Sequence, residues 1–125
     1  SFNGIGNIAG QVVMDGHAME ILNVQDNATY RCALALFNPT NAEITIKLFV
    51  MGSHSLFAFK YITLPAYDFQ AMYPFDEVGW TGNYYNHHIY LLYQSGAGHV
   101  MAVGALVHNG TNDPSARPAM SHAIY

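Results

Sequence analysis

The chain has 125 residues, of which 51% are hydrophobic and only 10% carry a formal charge, against about 25% charged in an average soluble domain. That length suits one domain with its own core, without a metal or disulfide staple. The four basic residues, Arg31, Lys47, Lys60 and Arg117, are scattered through a chain of net charge −4, so no basic patch exists to grip a phosphate backbone or an anionic membrane, and nucleic acid is not an expected partner.

Taken in order, residues 1–7 (SFNGIGN) read as an extended arm rich in Gly and Asn. Two apolar runs, 8–14 and 18–24, flank Asp15-Gly16-His17, a hairpin signal. Residues 30–37 and 42–50 are two strands joined by the polar turn Asn38-Pro39-Thr40-Asn41. Residues 56–64 form the next strand and stop at Pro65, and 67–73 form another and stop at Pro74. Residues 74–86 carry two glycines, two acids and four aromatics, and read as a long loop. Strands 87–93 and 99–107 follow, joined by a short Gly-rich link and expected to pair as a hairpin. In that pairing Tyr93 lies near His99 and His88 near Gly104. The tail 108–125, with Pro114 and Pro118, reads as irregular. No stretch has sustained helical periodicity, and turn signals recur about every 8–12 residues. The expected fold is therefore all-β: a single-domain antiparallel β-sandwich over residues 1–125, jelly-roll or Ig-like, with seven or eight strands.

The punctuation of this pattern resembles the sensory rhodopsin transducer family of small β-sandwiches. The resemblance rests on the Asn38-Pro39 turn, the strand ITIKLF (44–49), Leu64-Pro65-Ala66 and the stretch IYLLYQSGAGHVMAVGALV (89–107). It spans residues 30–107 and implies a compact sandwich that oligomerises and has no catalytic activity. The aromatic loop 80–85 and the poverty of charge depart from the family, so no functional residue is carried over.

Several strands have no wet face. Cys32, Leu34 and Leu36 alternate with Ala33, Ala35 and Phe37, all apolar. A two-layer fold buries one face of each sheet, so a second apolar face needs a cover. Either the arm and tail fold back, or other copies of the chain supply it, by strand exchange among other routes. Cys32 is the single cysteine. It has no partner for an intrachain disulfide, and its apolar strand casts it as a small buried hydrophobe.

Chemistry-bearing motifs are sparse. No Gly-x-Ser-x-Gly elbow, His-Glu-x-x-His or phosphate-cradling glycine pattern occurs. His87 and His88 are adjacent on a strand and so face opposite ways. Asp76 and Glu77 are neighbours in sequence and read as a solvated turn. We expect no catalytic residue, metal or cofactor. The site candidate is the loop 80–86: Trp80, Asn83, Tyr84, Tyr85 and Asn86. Such residues suit a protein interface, a plug for one end of the fold, or a carbohydrate surface in which rings stack on the sugar and amides bind its hydroxyls. Asn27 and Asn109 open N-x-Thr sequons and are glycosylation candidates. Ser1 in first position fits a processed product or simple loss of Met. The functional expectation is a non-enzymatic, self-assembling structural subunit, secreted or at the cell surface. Its partner is another copy of itself, and it does not insert in a membrane. The alternative is a small carbohydrate-binding or ligand-binding module that uses the aromatic loop 80–86.

Overall fold

Along each long strand, buried and half-exposed positions alternate, the period that strand geometry imposes on a residue pattern. The structure, a computed structural model, describes residues 12–52, 56–111, 114–117 and 120–123. The expected arm over residues 1–7, and His54, lie outside the described residues. In chain order the strands are β1 (Val12–Val13), β2 (His17–Asp26), β3 (Tyr30–Phe37), β4 (Ile44–Met51), β5 (Phe57–Leu64), β6 (Phe69–Met72), β7 (Tyr84–Gly96), β8 (Val100–His108), β9 (Pro114–Arg117) and β10 (Met120–Ala123). One short helix, α1 (Pro74–Glu77), separates β6 from β7. No described helix is long and apolar enough to cross a membrane.

All pairings are antiparallel, in two sheets. The first runs β1-β8-β3-β6, with β9 also on β8; the second runs β10-β2-β7-β4-β5. They share one core. Leu34, Leu36 and Leu106 from the first sheet meet Ile21, Ile46, Leu48, Ile89 and Leu91 from the second, all essentially inaccessible. Cys32 belongs to this core. Burial first, and then the charge of Asp26, push its thiol up to about 12, so it behaves as a small hydrophobe.

A strand occurs at each of the eight expected places, the first described only at Val12–Val13, but the expected loop 74–86 holds α1 and the first three residues of β7, and the connections differ from expectation. Asp15-Gly16 does not close a hairpin: β1 lies in the first sheet and β2 in the second. Nor do β7 and β8 pair with each other. Tyr93 lies opposite Ile46, and Gly104 opposite Leu34. Both sheets gain core contact this way, because a chain that is apolar at every turn has two inner faces to fill, and crossing between them fills both. The tail is not irregular. It contains β9 and β10, which pair with β8 and β2. Both join sheet edges, where Pro114 sits at a strand start that needs no ladder donor from it.

Candidate functional site

At one end of the molecule the punctuation residues converge. Asn38, fully buried, donates from Nδ2 to the carbonyls of Ala42 (2.7 Å), Leu64 (3.1 Å) and Pro65 (3.1 Å). Its Oδ1 accepts from the Thr40 amide (2.9 Å) and hydroxyl (2.6 Å). One amide thus ties the β3–β4 crossover to the exit of β5. The β7–β8 crossover packs against the same spot. A Cβ on Gly98 would meet the Ala42 carbonyl and lie 3.0 Å from Asn38 Nδ2. Gly96, at φ 98°, would drive a Cβ into the Glu43 carbonyl. Asn38, Leu64 and Gly98, the buried members of Asn-Pro, Leu-Pro-Ala and Gly-Ala-Gly, therefore form one lock, with Pro39, Pro65, Ala66, Gly96 and Ala97 exposed around it.

The opposite end carries the candidate loop. Two bulges set its geometry. Residue pairing between β2 and β7 slips between Ile21 and Val24 and again between Val24 and Asp26. Asn23 and Asn86 sit at these slips with φ near 56° and 55°, a conformation asparagine tolerates better than most residues. A single-residue slip reverses every later side chain. The bulge at Asn86 therefore brings Tyr84 onto the same side as His87. Tyr84 stacks between Phe75 (5.3 Å between centroids) and Trp80 (5.4 Å). The His87 ring meets all three, and its Nδ1 lies 2.7 Å from the Tyr85 carbonyl. Phe75, carried by α1, is fully buried, and Trp80 and Tyr84 pack on the core half-buried. Trp80 and Tyr84 thus spend ring faces on each other. Tyr85 is 60% exposed, with Asn83 and Asn86 exposed beside it. The five residues do not form one platform.

The sequon asparagines close the same end. Asn27 donates to Gln25 Oε1 (3.0 Å) and the Tyr84 carbonyl (3.2 Å) and accepts from the amides of Thr29 and Tyr30. Asn109 donates to the carbonyls of Asn27 (3.0 Å) and Ala28 (3.1 Å) and accepts from Arg31. A glycan on either Nδ2 would replace one of its two hydrogens and so cost at least one of the bonds donated there. Asp26, beside them, has its carboxyl raised to about 6 by burial and then by the charge of Asp76. Asp76 and Glu77 lie in α1, and Glu77 pairs with Lys60 across the open flank (2.9 Å). Among the described residues, no three His, Cys, Asp or Glu are grouped to hold a metal ion.

The site that sequence reasoning missed is the outer face of β4 and β5. Phe57, Phe59 and Tyr61 are 52%, 46% and 49% exposed. They alternate along β5 beside Phe49 of β4, at centroid distances of 5.4–5.8 Å within the row. Lys47 Nζ lies over Phe49, Phe59 and Tyr61 at 5.3, 4.7 and 5.2 Å, a cation–π geometry. The rings are mutually tilted by 38° to 82°, so they offer no flat shelf for a sugar. The signal was present as Phe57, Phe59, Tyr61 at period 2, but which face met water depended on the pairing. The first sheet's outer face differs. There Ala33, Ala35, Ala71, Val103 and Ala105 floor a groove of about 520 Å³ walled by Tyr73, Asp76 and Glu77.

No family model matches the chain, and no curated protein matches it by sequence. One solved structure, that of Thermotoga maritima 1070, matches it with a TM-score of 0.63 at 13% identity, over 90% of this chain and 96% of that one. At that identity the likeness concerns the fold alone.

Proposed function

We propose that this chain is a non-enzymatic β-sandwich subunit that assembles with copies of itself, as a homo-oligomer or as an extracellular filament or surface component. The observation that carries this reading is the row Phe57, Phe59 and Tyr61 on the outer face of the second sheet, each about half exposed. Half of an aromatic side chain is about 100 Å², so the three rings offer roughly 300 Å² of apolar surface. At about 25 cal/mol per Å², covering it contributes on the order of 7 kcal/mol before association costs. The tail strands give no cover there, since they lie at sheet edges. With 10% charged residues, the surface offers little repulsion between copies. Whether the connections are jelly-roll or Ig-like does not affect this reading. Light scattering coupled to size exclusion tests it: we expect a mass above 13.8 kDa at micromolar concentration. A monomer throughout the micromolar range overturns it.

The second reading is a carbohydrate-binding module. Exposed Tyr85 with Asn83 and Asn86 favours it, while the stacking of Trp80 on Tyr84 removes a ring face from the surface it needs. Glycan binding abolished by Tyr85→Ala would support it.

A further inference from the structure

Edge strands leave backbone N–H and C=O groups unpaired, and proteins blunt them with short strands, prolines, bulges or charge. Among the described residues, β6, β9 and β10 are edge strands of four residues each, whereas β5 is an edge of eight. It pairs with β4 without a bulge and contains no proline. The Gly52 amide bonds the Leu56 carbonyl (2.8 Å), so the even residues of β5 bond β4, as alternation along an antiparallel pair requires. Phe57, Phe59, Tyr61 and Thr63 therefore point theirs outward. Gln70 Nε2 donates to the Thr63 carbonyl (3.0 Å), in keeping with that parity, and occupies the last of them.

We propose that β5 pairs antiparallel with β5 of a second copy, about a two-fold axis at Phe59, joining the two sheets edge to edge. This rests on the self-assembly reading and names its contact. In this register Phe57 faces Tyr61 of the other copy and Phe59 faces Phe59. All the outward groups of residues 57, 59 and 61 are used, in about six hydrogen bonds, and the aromatic row continues across both molecules. Two neighbouring registers fit worse. An axis at Lys60 sets Lys60 against Lys60, and like charges directly opposite repel. An axis at Tyr61 needs the Thr63 carbonyl that Gln70 already holds. Lys60 is the strand's single charge, and it would deter pairing if bare. Glu77 neutralises it at 2.9 Å, and the chosen register places only Ala58 opposite it. Edge-to-edge pairing leaves most of the ring faces open and buries well under the about 800 Å² per partner of a standard interface, so the dimer through this edge alone is weak and concentration-dependent.

Paired residues that exchange hydrogen bonds sit with Cα atoms about 5.5 Å apart, within disulfide reach. Under mild oxidation, Phe59→Cys is expected to give a covalent dimer and Tyr61→Cys none. Cys32, buried in the core, stays out of the reaction. Phe59→Pro removes an N–H that faces away from β4, so the fold should persist by circular dichroism while the dimer dissociation constant rises at least about tenfold. Glu77→Gln should weaken the dimer several-fold. A link at Tyr61→Cys in place of Phe59→Cys overturns the register. An assembled particle with a link at neither position, unmoved by Phe59→Pro, overturns the edge contact and leaves self-assembly standing. A monomer at every concentration overturns both.

Discussion

The two ends of the molecule are closed by opposite means. One end is sealed by a single buried amide, Asn38, with five hydrogen-bond contacts. The other is sealed by stacked rings, Phe75, Tyr84, Trp80 and His87. The first is directional and depends on every partner being in place. The second depends on area and shape, and tolerates the bulge at Asn86 that delivers Tyr84 to it.

The largest test of this contrast is Phe75→Ala, which empties the ring stack from beneath. It should cost about 4 kcal/mol in urea unfolding; a cost under about 1 kcal/mol means the stack is ornamental. Asn38→Ala strands the carbonyls of Ala42, Leu64 and Pro65 in the interior. About 3 kcal/mol is expected, and Asn38→Asp should not rescue it, since an ionised carboxylate has no N–H to give them. Asp26→Asn probes the aromatic end by pH. The folded pKa of Asp26 is raised from 3.8 to about 6, so the native state binds the extra proton. Its contribution is fully present below about pH 4 and is lost as pH rises through about 6. Stability of the parent should therefore fall, relative to Asp26→Asn, between about pH 4 and 6, by about 1 kcal/mol after allowing for solvent at a partly exposed group. Parallel pH profiles for the two proteins would remove Asp26 from that end. The smallest effect is a coupling. β3 spans the ends with eight residues, about 26 Å at strand rise, so Asn38→Ala and Trp80→Ala should add within about 0.5 kcal/mol. A larger coupling means the two ends are not separate closures.

Much of the polar end was legible in the sequence. Asn-Pro, Leu-Pro and Gly-Ala-Gly are local signals, and each marked a true strand boundary. What could not be read was that they meet, because meeting depends on which sheet each strand joins. The same ignorance hid the aromatic end. Trp80, Asn83, Tyr84, Tyr85 and Asn86 look like one loop in sequence. The bulge divides them: Trp80 and Tyr84 go to the core and Tyr85 to the surface. Likewise, Asp15-Gly16 carries a hairpin signal that the crossover between sheets overrides, and Phe57, Phe59 and Tyr61 became a face only once β5 was an edge.

Of the connections between successive described strands, only β4–β5 and β8–β9 join neighbours within one sheet; every other one jumps to the opposite layer. Almost no ladder can therefore form from adjacent chain. Loop closure must be met before pairing rewards it, which places refolding at the slow end for a chain of this size, on the order of milliseconds to seconds. Because β10, at residues 120–123, completes the edge of β2, that edge stays open until all nine preceding described strands have been made.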